Sequence, residues 1–273
     1  MRVEDLIVEA KKHIHSHEAK MLLASLLNYD NLEILNHLHE VVDEEISKKY
    51  LEMVEARKNN YPLQYIIGDV NFYGRKFIVN ENVLIPRFET EELVEKTFKK
   101  AKELFGDKRI SILDMGTGSG VIGITLKALL PNSNVTCSDI SEEALSLAKE
   151  NAKSLGEDIN FIQSDLFKNI LGKYDLIISN PPYIGDKEDV EEQVFKHEPH
   201  LALFADDNGT EMYRKILAKA RAYLNETYLI AFEIASDQKE VLKSLQSEYF
   251  PDAKFECIKD MADKERIVLI YNS

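Results

Sequence analysis

From Ile110 onward the chain alternates short β-branched runs with longer amphipathic ones, and this alternation constrains the fold more than any other feature. ISILDM (110–115), NVTCSD (134–139), INFIQSD (159–165), YDLIISN (174–180) and TYLIAFEI (227–234) read as strands. VIGITLKALL (121–130), SEEALSLAKENAKSL (141–155) and the stretches 209–224 and 236–248 read as helices, with Ser141 as a cap. A series of strands separated by helices predicts an α/β fold with a doubly wound, mostly parallel sheet. Two last strands, near 254–258 and 266–271, have no helix between them, so an antiparallel C-terminal pair is expected.

The first 61 residues obey a different rule. Pro62 and Gly68 are the first proline and glycine, so the strongest breakers are missing before them. Leu6, Ile7, Ala10 and Ile14 make one apolar helix face, Met21, Leu22, Leu26 and Leu27 a second, and Ile46, Tyr50, Met53 and Val54 a third. A small N-terminal helical bundle over 1–61 follows. Residues 62–85, with QYIIGDVNFYGRKFIV, read as a β-hairpin linker, and 86–273 as the α/β domain, with Thr90 capping a helix over 91–105.

Charge narrows the partners. Of 273 residues, 48 are acidic and 34 basic, a net charge of -14, which forgoes the counterion release that drives non-specific nucleic-acid binding. Residues 1–61 hold 8 basic and 12 acidic residues, so the bundle is no basic clamp. Cys137 and Cys257 are the only cysteines, which excludes a disulfide framework and a cysteine-based zinc site. His13, His15 and His17 alternate around a helix rather than along one face, so no metal site is expected. MRVEDLIVEA carries Glu4, Asp5 and Glu9 where a signal peptide needs an apolar run, and no membrane span is visible. A cytoplasmic protein is expected. The acidic run from Asp186 to Glu192 reads as a solvated helix start.

Two constellations carry chemistry. After the first strand of the alternating region comes Asp114-Met-Gly116-Thr117-Gly118-Ser119-Gly120, a glycine turn that lets backbone approach a ligand. Gly118, Gly120 and Gly123 also satisfy the GxGxxG dinucleotide fingerprint. Two features tilt the reading toward S-adenosyl-L-methionine. Asp114 precedes the first glycine, where it can face a cationic amino group, and GxGxG suits a cofactor without pyrophosphate. Asp139 ends the second strand, where a carboxylate can accept from ribose hydroxyls in either cofactor. Asp165 ends the third and can meet an adenine amino group, with Leu166 or Phe167 as an apolar wall.

The second constellation is Asn180-Pro181-Pro182-Tyr183, at the carboxyl end of the fourth strand. Two prolines fix an extended backbone. The Asn180 side-chain oxygen and the Pro181 carbonyl are acceptors, and Tyr183 offers a flat face. Together they describe a pocket for a planar group bearing an NH2. Two acceptors on its hydrogens localise the nitrogen lone pair, and orientation toward a sulfonium methyl does the rest.

DMGTGSG, an acid at the second strand end, then NPPY: this series resembles the amino-group methyltransferases that use S-adenosylmethionine. Within them the chain is most similar to the peptide chain release factor glutamine N5-methyltransferases (PrmC/HemK). YPLQYIIGDVNFYGRKFIVNENVLIPRFETEELVE, HEPHLALFADDNGTEMYRKIL and DKERIVLIY carry the likeness, which is weakest over 1–60. The resemblance implies a Rossmann-like methyltransferase domain over 86–273 and a substrate-docking domain over 1–61. It implies that Gly116, Thr117, Gly118, Ser119 and Gly120 hold the methionine end of S-adenosyl-L-methionine, with Asp139 at the ribose and Leu166 and Asn180 beside the cofactor. Asn180, Pro181, Pro182 and Tyr183 would bind the target glutamine, with Asn180, Pro181 and Tyr183 catalytic. The implied substrate is the glutamine of the Gly-Gly-Gln motif in class-1 release factors, and a monomer is expected. Phe88 stands where the family has a second proline, and Glu233-Ile234-Ala235 departs from its usual glycine.

Three other readings remain open on residues alone. NPPY also serves adenine-N6 DNA and guanine-N2 RNA methyltransferases, but only 90 residues follow Tyr183, too few for a target-recognition domain. A non-catalytic cofactor-binding module conflicts with an intact NPPY. A dehydrogenase lacks a visible second substrate domain.

Overall fold

The computed structural model of the protein describes residues 1–30, 32–185 and 190–272. The chain divides into two compact units, Met1–Asp69 with Glu191–His197, and Val70–Val190 with Glu198–Ser273.

In the first unit, helix α1 (Val3–Ala10) buries Val3, Leu6, Ile7 and Ala10. Helix α2 (Ser16–Leu27) buries Ala19, Leu22 and Leu23, and α3 (Glu44–Lys58) buries Tyr50 and Val54. Each large side chain so buried contributes roughly 1.5–3 kcal/mol. Asp43 caps α3 by accepting from the Ile46 N–H at 2.8 Å, and the fully buried Tyr50 hydroxyl donates to the Ala19 carbonyl at 3.0 Å. Arg57 on α3 pairs at 2.8 Å with Glu18 on α2, whose side chain is 8% exposed. Residues 63–67 depart from the expected hairpin: they form a short helix, α4 (Leu63–Ile67), between Pro62 and Gly68. A run this short does not reveal its period, and the proline start and left-handed glycine end decide for helix.

The hairpin itself is β1 (Asp69–Phe72) and β2 (Arg75–Ile78). Tyr73 and Gly74 turn it with φ of 52° and 72°. Phe72 and Phe77 are buried in the core of the second unit. Helix α5 covers Phe88–Phe105, so Thr90 lies inside it rather than at its cap.

Strands β3 (Ser111–Met115), β4 (Asn134–Asp139), β5 (Asn160–Gln163), β6 (Tyr174–Ser179), β7 (Leu224–Glu233), β8 (Lys254–Lys259) and β9 (Glu265–Tyr271) form one sheet in the order β5-β4-β3-β6-β7-β9-β8. β9 runs antiparallel to both β7 and β8, as expected, and the other pairings are parallel. Helices α6 (Val121–Leu129) and α7 (Glu142–Leu155) follow β3 and β4, and Ser141 caps α7 by accepting from the Ala144 N–H at 3.0 Å. A short α8 (Glu192–His197) belongs to the first unit. A kinked turn, α9 (Asp206–Gly209), leads into α10 (Glu211–Ala220), and α11 (Lys239–Tyr249) precedes β8. Of the acidic run expected to start a helix, Asp186 to Asp189 lie outside the described residues.

The chain leaves β3 for β4 and β5 on one side, then returns to β6 on the other side of β3. The carboxyl ends of β3 and β6 therefore flank a topological switch point, where open α/β sheets bind ligands.

Candidate active site

A cavity of about 690 Å3 opens at those strand ends, within the usual range for small-molecule sites. Gly116, Thr117, Gly118 and Ser119 after β3 line it, with Asp139 after β4, Asp165 and Leu166 after β5, and Asn180 and Pro182 after β6. Residues from strand ends scattered over the sequence thus converge as the motifs implied.

The glycine turn is fixed by backbone bonds. Gly116 and Thr117 N–H donate to the Ser138 carbonyl at 2.8 and 3.0 Å, and Gly118 N–H donates to Asp139 Oδ2 at 2.9 Å. Gly118 has φ of 55°, and a Cβ built there meets no protein atom within 4 Å, so the loop keeps an open cradle. Gly120 serves packing instead. It does not line the cavity, and a Cβ there would come within 2.7 Å of Ile124 Cδ1.

Asp114 departs from expectation. It is fully buried and does not line the cavity, so it cannot face a cofactor's amino group there. Its Oδ2 instead accepts from the Thr117 hydroxyl at 2.5 Å and the Gly123 N–H at 2.9 Å. Burial pushes its carboxyl up to about 6, against these two donors. A Cβ on Gly123 would stand 2.3 Å from Cys137 Sγ, which shows why the third glycine is needed.

Asp139 ends β4 and lines the cavity. Its Oδ1 accepts from the Ser141 N–H at 3.0 Å and its Oδ2 from the Gly118 N–H at 2.9 Å. Burial raises its pKa and the Ser141 and Gly118 N–H groups hold it down. Leu166 carries φ of 48°, a strained conformation for a leucine, held by the Ser164 hydroxyl donating to its carbonyl at 2.7 Å. Asp165 lines the cavity beside it, whereas Phe167 is buried in the core, stacked on Tyr223 at 4.4 Å.

In the second motif the four residues separate. Asn180 and Pro182 line the cavity; Pro181 and Tyr183 stand behind them. The Tyr183 ring packs against the core, its hydroxyl donates to Glu233 Oε1 at 3.3 Å, and its carbonyl accepts from Gln238 Nε2 at 3.0 Å. Sequence reasoning gave Tyr183 a stacking face and no use for its hydroxyl. Gly209 presses on this turn so closely that a Cβ would sit 1.9 Å from the Tyr183 carbonyl.

Thr90, expected as a helix cap, lines the cavity, and Glu233 and Glu198, to which sequence reasoning assigned no site role, brace the residues around it. The Asn180 amide nitrogen donates to Thr90 Oγ1 at 3.3 Å, and the Thr90 hydroxyl donates to Glu233 Oε2 at 2.7 Å. Glu233 is 1% exposed, and burial pushes its carboxyl up to about 7. Glu198 accepts from the Ile85 N–H at 3.1 Å and from Arg87 at 2.5 Å, holding the segment whose Leu84 and Pro86 line the cavity. Phe88, in the place of the family proline, is 58% exposed and begins α5 without displacing Arg87 or Thr90 from these bonds.

A model of the methyltransferase small domain matches residues 89–201, and a model of the PrmC N-terminal domain matches residues 3–68. A release factor glutamine methyltransferase of Bacillus cereus is 37% identical over 91% of this chain and 90% of that one. Its counterpart in Streptococcus pneumoniae is 41% identical, over 90% of this chain and 88% of that one. The chain belongs to the release factor glutamine methyltransferase family.

As a member of that family it is a methyltransferase, which sets aside the dehydrogenase and non-catalytic readings. Solved structures match its fold. A methyltransferase from Pyrococcus furiosus aligns with a TM-score of 0.54 at 21% identity, covering 73% of this chain and 89% of that one. A T. thermophilus 16S rRNA N2 methyltransferase in complex with AdoMet and guanosine aligns with a TM-score of 0.52 at 13% identity, covering 75% of this chain and 50% of that one. Among the described residues of this family member, no helix is long and apolar enough to cross a membrane and no His, Cys, Asp and Glu cluster is arranged to hold a metal.

Proposed function

We propose that this protein transfers a methyl group from S-adenosyl-L-methionine to the side-chain amide nitrogen of the glutamine in the Gly-Gly-Gln motif of class-1 release factors. The observation that carries the reading is the convergence of an open glycine cradle, the Asp139 carboxylate and the Asn180 side chain on one cavity. The residues fit the cofactor: Gly118 leaves room for close approach, and Asp139 retains acceptor capacity beyond its bonds to Gly118 and Ser141. Leu166 gives an apolar wall and Asp165 an acceptor beside it.

When bound, the cofactor supplies an electrophilic methyl on a sulfonium. The chain's own work is positioning. Asn180 Oδ1 accepts from an N–H bond of the substrate amide and so aims its nitrogen; Pro181, expected to supply a second acceptor, does not line the cavity. Pro182, which lines the cavity beside Asn180, restricts the backbone of the turn. Tyr183 holds the turn through Glu233 and Gln238. No strong base is needed before attack, because the amide nitrogen is neutral and sheds a proton afterwards.

Base methylation is the weaker reading. A net charge of -14 disfavours a nucleic-acid substrate, whereas a helical first unit suits docking of a folded protein that offers a loop. On this reading the protein works as a monomer in the cytoplasm, with 1–61 as its docking domain. Labelled S-adenosylmethionine offered with purified release factor, DNA and ribosomal RNA tests it. Label should enter the release factor alone; label in nucleic acid with the release factor unmodified would reverse the assignment.

A further inference from the structure

An asparagine amide can sit two ways round, and only one of them can serve this site. With Oδ1 toward the substrate it accepts from an NH2 group; turned over, it would present its own NH2 to another donor. The atom that selects between these is Thr90 Oγ1, 3.3 Å from Asn180 Nδ2. A threonine hydroxyl can donate as well as accept, so it does not enforce the choice unless its proton is engaged elsewhere. Here the proton goes to Glu233 Oε2 at 2.7 Å, deep in the protein. The other carboxylate oxygen accepts from the Tyr183 hydroxyl at 3.3 Å.

We propose that Thr90 and Glu233 are positioning residues for methyl transfer, forming a relay in which the Thr90 hydroxyl donates its hydrogen bond to Glu233, Thr90 can then only accept from Asn180, and Asn180 must present its oxygen to the substrate amide. The inference rests on the functional reading above and adds to it what sets the polarity of the acceptor. Because Glu233 also holds Tyr183, one carboxylate ties both ends of the turn.

The relay has a direction that depends on charge. Both carboxylate oxygens of Glu233 are acceptors, which requires the ionised form. A protonated Glu233 would carry a donor and could give it to Thr90, freeing the threonine hydroxyl to bond Asn180 Oδ1 and turn the amide over. The groups that face Glu233 are Thr90 and Glu89 from α5, Arg266 from β9, and the hydroxyls of Tyr183 and Tyr213. Arg266 favours the ionised form; burial and Glu89 oppose it and push the carboxyl up to about 7. Turnover of the wild type should therefore fall as pH is lowered through about 7, and cofactor affinity should not follow it.

The test is a double-mutant cycle on the full chain, with purified release factor as methyl acceptor. Thr90→Val removes the hydroxyl at nearly constant volume, and we expect kcat to drop about 10- to 100-fold, the scale of a misplaced reacting group. Calorimetric affinity for S-adenosylmethionine and the KM for release factor should stay within about threefold. In an Asn180→Ala background the same change should cost less than twofold, because there is no amide left to orient. Thr90→Ser, which restores the hydroxyl, should recover most of the loss. Glu233→Gln is run through the same cycle, so the inference stays testable if Thr90→Val folds poorly; it should also abolish the low-pH limb. Equal losses from these changes with and without Asn180 would overturn the relay. A wild type that leaves release factor unmodified would overturn the functional reading and the relay together, and that control is read before any variant.

Discussion

The glycine turn over 114–123 and the Asn180–Tyr183 turn both contribute residues to one cavity, yet they are held in different ways. The first is fixed through its own backbone, by N–H bonds to Ser138 and Asp139 on the neighbouring strand β4, with Asp114 tying Thr117 to Gly123. The second is fixed by side chains from remote stretches: Thr90 on α5, Glu233 on β7, Gln238 beyond it, and the backbone near Gly209. A backbone-built cradle shapes a binding surface, and its defects should appear in affinity and stability. A side-chain relay aims a reacting group, and its defects should appear in turnover.

Asn180→Ala should break the second side most. Loss of one preorganised hydrogen-bond partner costs about 10²–10³ in turnover, roughly 2.7–4 kcal/mol. Cofactor affinity, read by calorimetry, should change far less; turnover within threefold of wild type would remove Asn180 from its role. On the cradle side, Asp139→Ala deletes hydrogen bonds to a charged acceptor, each contributing about 1.5–3 kcal/mol, so cofactor affinity should weaken at least about tenfold. An unchanged dissociation constant would move the ribose site elsewhere.

Gly123→Ala sharpens the contrast. Its Cβ would press on Cys137 Sγ at 2.3 Å and Asp114 Oδ2 at 3.0 Å. Overpacking of this kind costs about 1–3 kcal/mol, to be read as a lower denaturant midpoint. A variant as stable as wild type would mean the helix and strand can part without cost. Tyr183→Phe should have the smallest effect. It keeps the ring and loses one hydrogen bond to Glu233, worth about 0.5–1.5 kcal/mol, so turnover should fall less than about tenfold. Tyr183→Ala, which empties the space behind the turn, should lose far more; if the two were equal, the hydroxyl would be the part that matters.

The same difference explains what the sequence disclosed. The parallel sheet, its antiparallel C-terminal pair and the Ser141 cap were legible because each is written in local period and capping chemistry. The cradle was legible too, since Gly116 to Ser119 and Asp139 lie at strand ends the pattern locates. Helix α4 was not, because the five residues Leu63 to Ile67 between Pro62 and Gly68 are too few to show a period. Asp114 was misread because its place before a glycine turn fits two roles, and only its full burial separates them. Thr90 reads in the sequence as a cap, and Glu233 as part of a strand end. Their meeting joins positions 143 residues apart, which no local pattern encodes. One signal was available: Glu233 is an acid ending an otherwise apolar strand, TYLIAFEI.

The central claim is that the cavity presents a glutamine amide of a release factor to a methyl donor. Its most direct test is mass spectrometry of purified release factor after incubation with the protein and S-adenosylmethionine, beside a variant with the loop glutamine changed to alanine. The account predicts one added methyl, on the Gly-Gly-Gln glutamine, and none on the variant. A methyl at another residue, or equal methylation of the variant, would contradict it.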